Sequence, residues 1–174
     1  MGAKVPAKLL NNRLLAILPD LKRFALSLTR NREQAEDLVQ DTSLRVMRKG
    51  IPDDVDLRRW AFRVCKNAWI DQLRKQKNRL ETTGEEDENA GGVHDGEATV
   101  EGRSELDTVM TIMARLPQDQ QIALSLVAIE GMSYREVSDV MDVPIGTIMS
   151  RVSRARGSIA DALAAGQEGA NDQN

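Results

Sequence analysis

An all-α fold, built as two small helical domains joined by a flexible acidic linker, is what this sequence predicts, and three observations predict it. Aromatic residues make up 3% of the 174 positions, while Leu, Ala, Arg, Glu and Gln abound, which favours helices over strands. Apolar residues recur at helical spacing through both halves. Between them, residues 82–101 (TTGEEDENAGGVHDGEATVE) are acidic, carry glycines and nearly lack large apolar groups. Such a segment cannot bury enough surface to order itself. The expected organisation is a first domain over 9–80, a linker over 81–104 and a second domain over 105–165.

Residues 9–29 read as helix, with Leu14, Ile17, Leu18, Leu21, Phe24, Ala25 and Leu28 on one side. Pro19 falls inside this pattern and is expected to kink it or start a second helix. Asn31 and Gln34 suit the start of the next helix, which runs to about Arg48 and buries Ala35, Leu38, Val39, Thr42 and Val46. Residues 50–56 (GIPDDVD) form a loop. A long helix follows over 57–79, with Leu57, Trp60, Ala61, Val64 and Ala68 inward. Helices resume near Ser104, with Leu106, Val109, Met110 and Met113 inward. Leu116-Pro117 opens another, carrying Ile122, Ala123, Leu126 and Val127 and ending at Gly131. The tail after Ala165 is polar and reads as frayed.

Residues 131–159 (GMSYREVSDVMDVPIGTIMSRVSRARGSI) have the grammar of a helix-turn-helix. Ser133 and Glu136 form a capping box, so a helix starts near Tyr134. Val137, Val140 and Met141 are its apolar stripe. Pro144 breaks it. A second helix then buries Ile148, Val152, Ala155, Ile159 and Leu163. Its other side carries Thr147, Ser150, Arg151, Ser153, Arg154 and Arg156, hydroxyls and arginines of the kind a major groove accepts.

Charge points the same way once it is divided. The net charge is −3. Residues 1–80 hold 18 Lys and Arg against 9 Asp and Glu, a balance of +9. Residues 81–104 stand at −7 and residues 105–174 at −5. DNA responds to local potential, screened beyond roughly 8 Å at physiological salt, so the basic first block matters more than the total. One cysteine, Cys65, excludes an internal disulfide. With a single histidine, His94, there is no ligand set for a protein-only zinc site. No apolar run is long enough to cross a bilayer, and the first residues lack a signal-peptide core. No phosphate-binding glycine loop or nucleophile–base pairing stands out. The expectation is a cytoplasmic protein that is not an enzyme, with no cofactor, metal or small-molecule substrate.

The two halves together resemble a bacterial RNA polymerase sigma factor of the extracytoplasmic-function group, over about residues 9–163. EQAEDLVQDTSLRVMR (33–48) and RRWAFRVCKNAWIDQLRKQKNR (58–79) are similar to the region-two helices, including an N-x-x-x-D-x-x-R pattern at Asn67, Asp71 and Arg74. LPQDQQIALSLVAIEGMSYREVSDVMDVPIGTIMSRVSRAR (116–156) is similar to region four. The spacing leaves no room for the regions 1.1 and three that the group lacks. The resemblance implies a factor that binds core RNA polymerase. Region two would bind the clamp helices of the largest subunit and read the minus-10 element of promoter DNA. Region four would bind the flap of the second-largest subunit and read the minus-35 element. An anti-sigma factor that holds the protein inactive until a stress signal is implied as well.

Each half offers residues for these roles. Arg59, Arg63, Lys66, Arg74 and Lys77 fall broadly opposite the apolar stripe of the 57–79 helix, a cationic strip able to track phosphates or simply a solvated face. Trp60 matches the inward stripe. Trp69 has two readings, core or a ring that stacks on unpaired bases. Asn67 pairs with a base edge or is merely solvated. Asp71 reads as a structural acid within reach of Arg74 and Lys75. The 50–56 loop lies where the family places its base-capturing loop, and Asp53, Asp54 and Asp56 there suit exocyclic amines or a plain turn. Asp37, Gln40, Asp41 and Arg45 are, by the resemblance, the clamp contact. The sequence departs from the common pattern at Met149, where many relatives carry Arg or Lys. Two other readings remain: a sigma-like decoy that binds an anti-sigma factor without initiating, and a simple operator-binding repressor.

Overall fold

The computed structural model describes residues 7–52, 54–83 and 105–171, with the backbone alone for 7 and 167–171. Every regular element among the described residues is helical: α1 (Ala7–Thr29), α2 (Arg32–Lys49), α3 (Leu57–Thr83), α4 (Glu105–Ala114), α5 (Gln118–Leu124), α6 (Tyr134–Met141) and α7 (Ile145–Asn171). Residues 84–104 of the expected linker, His94 among them, lie outside the described residues, as does Asp53.

α1 to α3 pack on one another around Leu21, Phe24, Leu38, Val46 and Phe62, all fully buried. α1 runs through Pro19 as one helix, so no second helix starts there. The proline removes one ladder hydrogen bond, at the carbonyl of Leu15, and that residue is exposed to water. α2 follows its expected stripe residue for residue, and Asn31 caps it by accepting from the Gln34 amide at 3.0 Å. α3 runs on through residues 81–83, past the expected start of the linker. It buries Phe62 and Cys65 beside the expected Leu57, Ala61, Val64 and Ala68, and burial pushes the Cys65 thiol up to about 12, leaving it protonated and unreactive. Trp60 is half-buried, with its indole N–H donating to the Gly50 carbonyl at 3.0 Å.

In the second half Ile122, Leu126, Val137, Val140, Ile148 and Val152 form the core. Leu106, expected inward, is 69% exposed, because it lies at the outer end of α4, where only Met113 is fully buried. α5 passes directly into a π-helical turn at Ser125–Ile129, where the Glu130 amide reaches back to the Ser125 carbonyl. Gly131, at φ +64, then reverses the chain, and the Met132 amide closes on the Leu126 carbonyl at 3.0 Å. A side chain at position 131 would be strained at that φ. α7 continues to Asn171, beyond the expected fraying point.

The halves also pack against each other, and their buried residues form one continuous cluster. The contact is polar at its centre. Glu130 has no exposed side-chain surface, and Arg23 of α1 grips it with two hydrogen bonds of 3.0 and 2.8 Å. Arg58 of α3 donates to the Glu130 carbonyl at 3.0 Å and to Asp20 at 3.3 Å. Gln121 donates to the Ser27 carbonyl at 3.1 Å, and Arg30 to Thr111 at 3.1 Å.

Burial pushes the Glu130 carboxyl above the ordinary glutamate range, against the pull of Arg23 and Arg58, while nearby Asp20 raises it further. The packed state therefore holds this proton more tightly than a state in which the carboxyl is hydrated. The contribution favours packing below the ordinary glutamate range and is lost as pH rises through the raised value. Energy transfer between dyes on the two halves should fall as pH rises through that window, and Glu130→Gln should remove the step. A step that persists in the glutamine variant assigns it to another group.

Candidate nucleic-acid interface

The helix-turn-helix is built as its residues dictate. Ser133 accepts from the Glu136 amide at 3.3 Å, and the Glu136 carboxylate accepts from the Ser133 amide at 2.8 Å. The Ser133 amide, with the Ser133 hydroxyl that also donates to the carboxylate at 2.9 Å, holds the Glu136 carboxyl below the usual range. α6 buries Val137, Val140 and Met141. It ends at Asp142 in the left-handed conformation, and Ser138 ties the turn by donating to the Val143 carbonyl at 2.6 Å. Pro144 then precedes the first turn of α7, its fixed φ suited to a helix start.

α7 sets Ile148, Val152 and Ala155 fully inward. Ser150, Ser153, Arg154 and Arg156 are exposed on its other side, and Thr147 is half-buried. Arg151 is set differently. It donates to Asp119 at 2.7 Å, and its side chain is 22% exposed. Ile145 and Met149, one turn apart, are both exposed and add an apolar edge to the start of this helix.

On α3, Asn67, Arg74 and Lys77 are exposed, Lys77 lying 3.9 Å from Glu81. Trp69 is half-buried, and its indole N–H is sealed from solvent without an acceptor among the described residues. Lys66 departs from the expected exposed strip. It is 9% exposed, because α3 is covered on that side by the second half. Burial lowers its ammonium below the usual lysine range, with Arg63 repelling it and Asp142 and Asp119 opposing the shift. Arg59 and Arg63 are half-buried for the same reason. Arg59 pairs with Asp139 of α6 at 3.0 Å, and Arg63 donates to the Asp139 carbonyl. Asp54, Val55, Asp56, Trp60, Arg59, Arg63 and Asp139 line a cavity of about 220 Å³.

The residues expected at the clamp split in two. Asp37 and Gln40 are exposed on α2. Arg45 binds Asp41 at 3.0 Å and reaches Asp71 of α3 at 3.1 Å, contacts that raise the Arg45 pKa. Asp71 is thus paired across helices rather than with Arg74 or Lys75 along its own. Leu44 and Met47, more than half exposed on the same helix, were not singled out by sequence. Their signal was two large apolar residues on the polar side of α2.

A helix-turn-helix with a hydroxyl- and arginine-bearing face, beside a basic three-helix unit, defines a two-part transcription factor. Residues 15–79 match the Sigma-70 region 2 family and residues 106–159 the Sigma-70, region 4 family. The chain is 32% identical over 156 residues to the ECF RNA polymerase sigma factor EcfG of Rhodopseudomonas palustris, covering 88% of this chain and 84% of that one. It is 34% identical over 172 residues to the ECF RNA polymerase sigma factor SigC of Mycobacterium tuberculosis, covering 96% and 88%. Its fold superposes on the sigma factor RpoE of Bartonella quintana, solved in complex with the anti-sigma factor NepR. That match has a TM-score of 0.75 at 30% identity, over 88% of this chain and 96% of that one. The chain belongs to the extracytoplasmic-function (ECF) RNA polymerase sigma factors. It binds core polymerase and directs promoter-specific initiation of transcription. Among the described residues no helix is long and apolar enough to cross a membrane.

Proposed function

We propose that this sigma factor works in the cytoplasm without catalytic chemistry of its own, reading its promoter at two points. α7 reads the minus-35 element through Thr147, Ser150, Arg151, Ser153, Arg154 and Arg156. α3 reads the minus-10 element through Arg59, Arg63, Lys66, Asn67, Trp69, Arg74 and Lys77. The cavity beside Asp54 and Asp56 receives an unpaired base, whose exocyclic amine a carboxylate accepts from. Asp37, Gln40, Asp41 and Arg45, with Leu44 and Met47 beside them, make the clamp contact. Residues 9–80 and 105–165 act as separate polymerase-binding domains. An anti-sigma factor holds the protein until a stress signal releases it, a reading supported by the RpoE–NepR complex of Bartonella quintana.

The observation that carries this reading is the face of α7, where Ser150, Ser153, Arg154 and Arg156 are exposed together over a buried core stripe. The protein added to core polymerase should give discrete run-off transcripts from a promoter bearing both elements. Core binding without initiation would replace this reading with that of a decoy.

A further inference from the structure

We propose that Ile145 and Met149 of α7 are specificity-determining residues, an apolar row that selects thymine in the minus-35 element. The inference rests on the reading of α7 as the helix that enters this element. Both side chains are large and apolar, yet Ile145 is 46% exposed and Met149 52%. They stand one turn apart on α7, and Ser153 continues their row one turn further on. Gly146, Ser150 and Arg154 form the adjacent row, and all six residues are exposed. The face is therefore of two kinds at its N-terminal end, the part that enters the groove in helix-turn-helix proteins. One row offers hydroxyl and guanidinium donors. The other offers alkyl and thioether surface before it turns polar at Ser153.

The major-groove edges of the bases consist of hydrogen-bond donors and acceptors, and the thymine C5-methyl is the one methyl group among them. An apolar side chain set against any other base edge would leave a donor or acceptor dehydrated and unpaired, which costs affinity. Against thymine it buries a methyl instead. Ile145 is β-branched and stiff, whereas Met149 is unbranched and adapts to the methyl it meets. The same geometry argues against an apolar protein groove as the occupant. A partner seated on Ile145 and Met149 would also cover Ser150 and Arg154 in the next row. A major groove answers both rows at once, with methyls for one and acceptors for the other. Arginine at position 149 would favour guanine, whose two acceptors match the guanidinium fork.

The test uses the full chain in reconstituted holoenzyme and a promoter library whose upstream block is randomised. Sequencing the DNA that the holoenzyme retains gives the preferred base at each position. The wild-type protein should select thymine at one or two positions on one strand, next to positions whose preference Arg154→Glu erases. Replacing those thymines with uracil removes only the methyls and should weaken retention about fourfold for each, the value of one buried carbon. At the position facing Met149, Met149→Ala should be indifferent to that replacement, and Met149→Arg should move the preference from thymine to guanine. Met149 is exposed, so both variants should keep the wild-type melting temperature. The inference fails if uracil templates are retained as well as thymine ones while Arg154→Glu still erases the other preferences, and the minus-35 reading of α7 then stands. Weakened assembly of Met149→Ala with core polymerase in the absence of DNA also overturns it, because the apolar row is then a protein contact. If Arg154→Glu changes no preference, the reading of α7 falls and this inference with it.

Discussion

Replacing Phe62 with alanine should cost about 3–5 kcal/mol and unfold the α1–α3 unit at temperatures where the native protein is folded. Phe62 is fully buried at the centre of that unit. Its ring lies 5.2 Å from that of Phe24, tilted by 58°, and the Arg58 guanidinium stacks 5.1 Å from its centroid. Alanine would remove the ring contact, leave a cavity lined by rigid helices and release Arg58 from its support beside Glu130. Few residues in this half can compensate, since the whole chain holds two phenylalanines. Denaturant unfolding followed by tryptophan fluorescence checks this directly, because Trp60 and Trp69 both lie on α3. A loss under about 1 kcal/mol would mean that the core repacks around the gap and that Phe62 does not organise it.

The second large effect falls on function and spares the fold. Arg154→Glu should lower transcription from a promoter that depends on its minus-35 element by roughly ten- to a hundredfold, the ~1–3 kcal/mol of a good base contact. Arg154 is exposed and forms no hydrogen bond or ion pair with the described residues, so stability should move by less than about 0.5 kcal/mol. Thermal unfolding and run-off transcription measured on the same preparation separate the two. Arg151→Glu should behave differently. Its present partner is Asp119, so the reversal breaks an internal pair as well. Equal effects of the two reversals on transcription, with Arg154→Glu also destabilising, would undo the distinction drawn between them.

Local chemistry made much of the fold legible in the sequence. The α2 stripe, its Asn31 cap, the Ser133–Glu136 box and the Pro144 break are each decided within a turn or two of chain. Periodicity reads such decisions well. Pro19 shows its limit: a proline is tolerated in mid-helix, here where Leu15, the residue whose carbonyl it orphans, is exposed. Leu106 shows another, since an apolar residue at the end of a stripe need not have anything to pack on. Lys66 was misplaced because a stripe drawn from one helix does not know what covers its far side.

The site was legible as a surface and not as a set of partners. Arg154 and Ser150 stand where an amphipathic helix must put them. The Arg59–Asp139, Arg23–Glu130 and Arg45–Asp71 contacts join positions 80, 107 and 26 residues apart. Each of these residues looks alone like an ordinary solvated charge, and no spacing rule links residues so distant. What periodicity cannot supply is the relative placement of the two halves. That placement makes three of the five residues of the cationic strip, Arg59, Arg63 and Lys66, part of an internal contact.

The central claim is that one chain reads a promoter at two separate points, and hydroxyl-radical footprinting of the reconstituted holoenzyme tests it most directly. The wild-type protein should protect two blocks on the promoter, one upstream and one at the melted segment. Arg154→Glu should erase the upstream block and leave the other, while Arg59→Ala combined with Arg74→Ala should weaken only the downstream one. A single protected block, or an upstream block indifferent to Arg154, would contradict the account.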